Sequence, residues 1–236
     1  MPERLARIRA RIESAAERAG RPPGGVTLLG VSKTQPASAV AEAFQAGLRV
    51  FGENRVQEGL AKSRELSSKI APEIEWHLIG PLQSNKVRAA LGLFHTIHSI
   101  DRLSIAEAVE REAEKRGIAV TGFLEVNLGS EGTKHGFPVE GIAETVRPLA
   151  AYKHLRTVGL MAIPPLGRAA EESRPWFRRL RELRDELAAR PEWAGFPGWL
   201  SMGMSDDFEV AIEEGATHVR VGTAIFGPRR APVPDR

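Results

Sequence analysis

Residues 26–53 read VTLLGVSKTQPASAVAEAFQAGLRVFGE, and this stretch decides the fold class. The apolar run at 26–33 is rich in Val and Leu, which is typical of a buried strand. After a proline, apolar residues recur at helical spacing over 37–46 and stop before Gly47. A second short apolar run occupies 49–53. The order strand, helix, strand predicts two parallel strands joined by a helix.

The same alternation continues along the chain. Eight short apolar runs are predicted to be strands, at residues 26–33, 49–53, 75–80, 96–100, 120–128, 157–163, 198–202 and 218–221. Helical patterns lie between them, at residues 37–46, 56–66, 102–116, 138–151, 176–189 and 208–214, with a shorter one after Gln83. Eight strand–helix units can close into a parallel barrel. We therefore predict an α/β fold, a single (β/α)8 TIM barrel, with the whole chain of 236 residues as one domain.

Both ends of the chain lie outside the repeated pattern. An extra N-terminal helix is predicted over residues 1–20, because Leu5, Ile8, Ile12 and Ala15 fall on one face of it. The proline-containing tail at 229–236 is expected to be frayed. An open doubly wound sheet is the rival architecture, but no G-x-G-x-x-G motif follows the first strand.

The composition excludes several classes of protein. The chain has no cysteine, which excludes disulfides, thiolate metal sites and cysteine nucleophiles and suits the cytoplasm. No apolar run is long enough to span a membrane. The net charge is +3, but the basic stretch at 178–190 contains interspersed carboxylates, as an exposed helix face does, and one tyrosine offers little for stacking on bases. We expect a cytoplasmic protein that binds neither nucleic acid nor a membrane.

Polar side chains collect where the predicted strands end. In a (β/α)8 barrel this is the face that carries chemistry. The first strand ends in Lys33, and strand alternation puts Leu29, Val31 and Lys33 on one face. If that face lines the barrel, burial would lower the pKa of the Lys33 amine, as an imine-forming lysine requires. An exposed lysine at a strand end is the alternative.

The last two strand ends suggest a phosphate site. Barrels often bind phosphate with the loops after strands seven and eight. Ser205 is predicted to cap a helix that runs to Gly215 and whose first N–H groups could receive the phosphate. Gly222 and Thr223 add a close backbone and a hydroxyl. Ordinary capping and turn formation remain equally open, and the carboxylates at 206 and 207 would repel an anion unless they point away.

Several segments, taken in order, resemble one family. They are residues 29–34 (LGVSKT), 51–58 (FGENRVQE), 76–86 (WHLIGPLQSNK), 98–101 (HSID), 159–161 (GLM), 200–206 (LSMGMSD) and 220–227 (RVGTAIFG). The ordered set resembles the YggS/PROSC (PLPBP) family of pyridoxal phosphate homeostasis proteins, which is related to the N-terminal barrel of alanine racemases.

The resemblance implies a cofactor and a set of residues that bind it. The cofactor is pyridoxal 5′-phosphate (PLP), held as a Schiff base on Lys33. Gly222 and Thr223 hold its phosphate with Ser205, which is favoured over Ser201, and Arg220 faces the pyridine nitrogen. The further residues implied to contact the cofactor are Asn54, His77 and Met202.

The same resemblance implies a function without catalysis. The protein would store PLP or pass it to apo forms of PLP-dependent enzymes. Because a guanidinium cannot accept the proton of the pyridine nitrogen, Arg220 would leave the ring a poor electron sink.

Two enzymatic alternatives stay open. An amino-acid racemase needs a second acid–base group, which the related racemases take from a tyrosine of another domain. The one tyrosine here, Tyr152, precedes a strand and so belongs to the opposite rim, although His77 or a partner chain could substitute. A metal-dependent barrel enzyme is the other alternative. His95 and His98 would face opposite sides of a strand, whereas Glu125 and Asn127 could bind a cation or simply line a polar mouth.

Two further expectations concern transfer and assembly. Lys134 lies in a glycine-rich loop after the fifth strand, where a second amine could accept PLP transiently, although an exposed loop lysine explains it too. No pattern resembles an obligate interface, so we expect a monomer.

Overall fold

The first predicted strand, β1 (Thr27–Val31), pairs in parallel with a strand on each side. The fold is described from a computed structural model, which defines residues 1–129, 135–165 and 169–228. Lys134 and the predicted tail at 229–236 therefore lie outside the described residues.

Parallel strands form a closed ring. The strands are β1, β2 (Val50–Glu53), β3 (Glu75–Leu78), β4 (Thr96–Ile100), β5 (Val120–Asn127), β6 (Phe137–Pro138), β7 (Leu155–Met161), β8 (Trp199–Ser201) and β9 (His218–Val221). Eight of them follow the order β4-β3-β2-β1-β9-β8-β7-β5, and a pairing between β4 and β5 closes the ring. The short β6 pairs with the end of β5 outside the ring. The predicted (β/α)8 barrel is confirmed, and the eight predicted strands agree with the observed ones to within two residues at each end.

Helices surround the ring. They are α1 (Pro2–Arg18), α2 (Ala37–Gln45), α3 (Val56–Glu65), α4 (Val87–Ala90), α5 (Leu103–Arg116), α6 (Ile142–Val146), α7 (Arg174–Ala188), α8 (Phe208–Glu213) and α9 (Thr223–Phe226). The helix predicted over 138–151 is shorter than expected. Gly141 at φ 71° delays its start, and the segment that holds Pro148 continues as a 3-10 helix over Arg147–Ala151.

Helix α1 packs against α8 through its apolar face. Leu5, Ile8 and Ile12 are buried there, and each such side chain contributes about 1.5–3 kcal/mol when fully buried. An ion pair of 2.7 Å between Arg11 and Glu209 joins the same two helices, but exposed pairs contribute about 1 kcal/mol or less. Apolar burial therefore accounts for most of the attachment. Among the described residues, no helix combines the length and apolar character needed to cross a bilayer.

The interior of the ring contains polar side chains. Leu29 of β1 pairs with Arg220 of β9, and residues paired across parallel strands point to the same side of the sheet. His77, His98, Ser201 and Arg220 come from four different strands and form a continuous series of hydrogen bonds. Their side chains therefore meet inside the barrel.

Candidate cofactor site

Lys33 lies in a turn directly after β1. The strand ends at Val31, two residues earlier than predicted, and the Lys33 side chain is half-buried. Strand alternation therefore does not reach Lys33, and its direction is set by the turn instead. Thr34, the next residue, has φ 64°, a left-handed conformation that is rare for a β-branched residue.

A buried ion cluster that the sequence patterns do not predict lies behind this turn. Lys62 of α3 donates to Glu53 Oε1 at 2.6 Å and to Glu58 Oε1 at 2.8 Å, and Ser32 Oγ donates to Glu53 Oε1 at 2.6 Å. Glu53 is fully buried, and burial raises the pKa of its carboxyl group although Lys62 and Ser32 oppose the rise. Spacing gives only a partial signal, because Glu58 and Lys62 are an i,i+4 pair.

The loops after β8 and β9 converge on Ser205. The N–H groups of Gly222 and Ala224 donate to Ser205 Oγ at 3.3 Å and 3.5 Å. These are long bonds, and two N–H groups aimed at one point can donate to a phosphate oxygen instead. Thr223 is exposed at the start of α9, beside the same point. This hydroxyl and backbone set suits a phosphate.

The predicted capping role of Ser205 is wrong. Helix α8 begins at Phe208 after the N-cap residue Asp207, and it has six residues. Ser205 lies in the turn that precedes α8. The Asp207 carboxylate stabilises this turn by accepting from the Met204 N–H at 2.7 Å. Asp207 is buried and also accepts from Ser173 at 3.0 Å, while Asp206 is exposed.

Arg220 is fixed inside the barrel by acceptors on β8 and directly after β7. Its Nη1 donates to the carbonyl oxygen of Ser201 at 2.7 Å and to Ser201 Oγ at 2.8 Å, and its Nη2 donates to the Ala162 carbonyl oxygen at 2.9 Å. Burial lowers the pKa of the guanidinium to about 10, so it stays charged at neutral pH. Ser201 is thus engaged by Arg220, whereas Ser205, in the loop after β8, accepts from the Gly222 N–H after β9.

A chain of hydrogen bonds leads from Arg220 through the barrel. Ser201 Oγ is 2.7 Å from His98 Nδ1, and His98 Nε2 is 2.9 Å from His77 Nδ1. His77 Nε2 is 2.8 Å from Glu75 Oε1, which lies at the start of β3. Both ring nitrogens of His77 are thus engaged by protein groups. Burial lowers the pKa of His98 well below its usual value and that of His218 to about 3, so both are neutral at physiological pH.

Carboxylates lie at the ends of β4 and β5. Glu125 pairs with Met161, which pairs with Ser201, so Glu125 faces the barrel interior. Burial, and to a smaller extent the charge of Asp101, raise its pKa to about 7. Asp101 itself lies 2.7 Å from Arg102 and 3.3 Å from His135.

The remaining predicted residues fall at different depths. Asn54 is half-buried after β2. Its backbone lies so close to Gly80 that a Cβ atom on residue 80 would overlap the Asn54 backbone. Met202 is buried after β8.

Tyr152 precedes β7 and therefore lies at the opposite end of the barrel from Lys33. His95 is exposed whereas His98 is buried, and among the described residues no group of three or more His, Asp or Glu side chains is placed to hold a metal ion.

The donor set at this end of the barrel fits PLP by its chemistry. Lys33 supplies an amine for an aldehyde, the Ser205 loop supplies a hydroxyl and N–H groups for a phosphate, and Arg220 supplies a cationic donor that can face a ring nitrogen.

Comparison with known proteins gives consistent matches over nearly the whole chain. Residues 4–230 match the family model described as alanine racemase, N-terminal domain. A pyridoxal phosphate homeostasis protein of Aquifex aeolicus is 47% identical over 228 residues, covering 97% of this chain and 98% of the relative. A protein of the same name from Escherichia coli K12 is 44% identical over 229 residues, covering 95% of each chain.

Solved structures agree with these matches. PipY of Synechococcus elongatus, solved with PLP bound, has a TM-score of 0.83 and 39% identity, and the match covers 96% of this chain and 99% of that one. An alanine racemase of Clostridium difficile has a TM-score of 0.67 at 14% identity, and the match covers 97% of this chain and 57% of that one. The second likeness shows the fold alone.

Proposed function

Because the chain belongs to the pyridoxal phosphate homeostasis family, we propose that it binds PLP at the carboxyl end of its barrel and holds it for storage or transfer. The observation that carries this proposal is the PLP-bound structure of PipY, which superimposes over almost the full length of both chains. The amine, guanidinium and phosphate-binding groups described above support it.

Each group at the site has a proposed role. Lys33 forms the Schiff base, Ser205, Gly222 and Thr223 bind the phosphate, and Arg220 faces the pyridine nitrogen. Asn54 and Met202 line the ring. That His77 touches the cofactor remains a prediction, and its engaged ring nitrogens favour an indirect role through the chain to Arg220.

We propose a carrier rather than an enzyme. PLP when bound supplies a reactive aldehyde and an aromatic ring that can withdraw electrons. Arg220, charged and donating only, keeps a proton off the pyridine nitrogen and so weakens that withdrawal. The racemase alternative is disfavoured because Tyr152 lies at the opposite end of the barrel from Lys33. Recipients would be apo PLP-dependent enzymes in the cytoplasm, and the carrier would be a single barrel domain acting as a monomer.

The test is to load the apo-protein with PLP and reduce it with borohydride. We expect a visible absorbance band that reduction abolishes, and peptide mass mapping that finds the pyridoxyl group on Lys33. Lys33→Ala should lose the band. A Lys33→Ala protein that retains the parental spectrum would overturn the proposal. Incubation of loaded protein with L-alanine under chiral detection distinguishes a carrier, which forms no D-alanine, from a racemase.

A further inference from the structure

The residues on both sides of Lys33 are bound to the same buried ion cluster. The Ser32 carbonyl oxygen accepts from Lys62 Nζ at 2.6 Å, and the Thr34 N–H donates to Glu58 Oε1 at 2.5 Å. The cluster comprises Lys62, Glu53 and Glu58, and it lies between β1, β2 and α3. The backbone is therefore anchored directly before and directly after the lysine.

Lys62 is fully satisfied by this arrangement. Its ammonium group has three donors, and the three acceptors are Ser32 O, Glu53 Oε1 and Glu58 Oε1. Its side chain is 6% exposed. A lysine this buried is unusual unless it is paired, and here one of its three bonds goes to the backbone beside Lys33.

Thr34 adopts a conformation that needs external support. At φ 64° its branched side chain crowds the backbone, which a glycine would avoid. Such a conformation persists only when the surroundings impose it, and it is found mostly at functional sites. Two hydrogen bonds act on this turn: the Thr34 N–H donates to Glu58, which Lys62 holds, and the Gln35 N–H donates at 2.9 Å to the Ser32 carbonyl oxygen, which also accepts from Lys62.

We propose that the Lys62–Glu53–Glu58 cluster is a positioning device that forces Thr34 into the left-handed conformation and thereby directs Lys33 toward the barrel mouth. This inference rests on the proposed function, since its purpose is the placement of the PLP-binding amine. Without Glu58 or Lys62, Thr34 relaxes to negative φ, and the turn that carries Lys33 rotates.

Stability alone does not explain the cluster. Removing three charged groups from water is costly, and apolar residues of similar size often stabilise a core equally well or better. What an apolar core cannot supply is a set of hydrogen bonds to Ser32 O and Thr34 N–H. The charged groups of Lys62 and Glu58 therefore serve to hold the backbone on either side of Lys33.

The experiment compares Glu58→Ala with Glu65→Ala, a matched change of an exposed carboxylate on the same helix. PLP affinity is measured by absorbance titration of each apo-protein, and folding is followed by circular dichroism melting. We expect Glu58→Ala to weaken PLP binding by about tenfold, which corresponds to the strain of one left-handed residue. Glu65→Ala should bind as the parent does. Lys62→Met should weaken binding at least as much as Glu58→Ala.

A second substitution separates positioning from a general loss of structure. Thr34→Gly removes the strain, since glycine occupies φ 64° freely. The double variant Glu58→Ala/Thr34→Gly should recover most of the lost affinity, whereas a merely structural role for the cluster predicts no recovery. Parental affinity in Glu58→Ala, or a double variant no better than Glu58→Ala, overturns the inference. If the parent fails to bind PLP, or Lys33→Ala binds it equally well, the proposed function fails instead.

Discussion

Glu125 is a carboxyl group held where its charge is disfavoured. Burial and the nearby Asp101 raise its pKa from 4.5 to about 7. A raised pKa means that the folded state binds the proton more tightly than the unfolded state does. Its contribution to stability is therefore present below about pH 4.5 and is lost as the pH rises through about 7.

Replacement of Glu125 by Gln should remove this dependence on pH. Between pH 5 and pH 8 the parent should lose about 2 kcal/mol of unfolding free energy that the Glu125→Gln variant retains. Urea unfolding of both apo-proteins measures this difference. The contributions of the buried histidines to the pH dependence cancel because both proteins carry the same histidines. Glu140→Gln, a change at an exposed position, is the control and should follow the parent. Parallel pH profiles for the parent and Glu125→Gln would contradict the assignment.

At the scale of elements, the loop after β8 depends on one glycine. Gly203 has φ 90°, and a Cβ there would lie 2.6 Å from Ala211 Cβ and 3.0 Å from Phe208 Cα. Its carbonyl oxygen accepts from the Arg220 N–H at 3.0 Å. The loop must therefore approach α8 closely in order to place Ser205 beside Gly222.

Gly203→Ala should displace this loop. We expect a loss of about 2–4 kcal/mol of stability from overpacking together with the positive φ, and weaker PLP binding because Ser205 moves. Gly195→Ala is a matched control, since Gly195 also has positive φ, 83°, but has no atom within 4 Å of a built Cβ. It should cost about 1 kcal/mol and leave PLP affinity unchanged. Melting curves and absorbance titrations measure both effects, and equal losses of affinity in the two variants would contradict this account.

At the scale of the whole molecule, sequence patterns predict the barrel better than they predict its site. The strands follow from apolar runs such as the one that contains β1 (Thr27–Val31), which match the structure because buried parallel strands leave little choice of residue. The predicted capping role of Ser205 is wrong because Asp207, two residues later, is the N-cap residue. Lys62 resembles an exposed helix residue in sequence, and its partner Ser32 lies 30 residues away. Contacts of that separation exist only after the chain has folded.

The chain of hydrogen bonds through the barrel has a defined direction. Arg220 can only donate and the Glu75 carboxylate can only accept, so in a chain that runs from one to the other each imidazole donates its bridging proton from Nε2. Ser201 then donates to His98 Nδ1, His98 donates to His77, and His77 donates to Glu75. The chain links the start of β3 to the side chain proposed to face the pyridine nitrogen.

Ser201→Ala should break this link. Nitrogen NMR of the parent should find His98 and His77 protonated on Nε2, with His98 neutral throughout pH 5–8 because burial lowers its pKa well below 6.5. Ser201→Ala leaves His98 Nδ1 without its donor, so the tautomers should become mixed, and the unmet bond should cost about 1–3 kcal/mol. Ser99→Ala is the matched control, because Ser99 is equally buried on β4 and donates to Gly80 O at 2.6 Å outside the chain. It should lower stability similarly without changing the tautomers. If Ser201→Ala also leaves the tautomers of His98 and His77 unchanged, Arg220 does not set the direction of the chain.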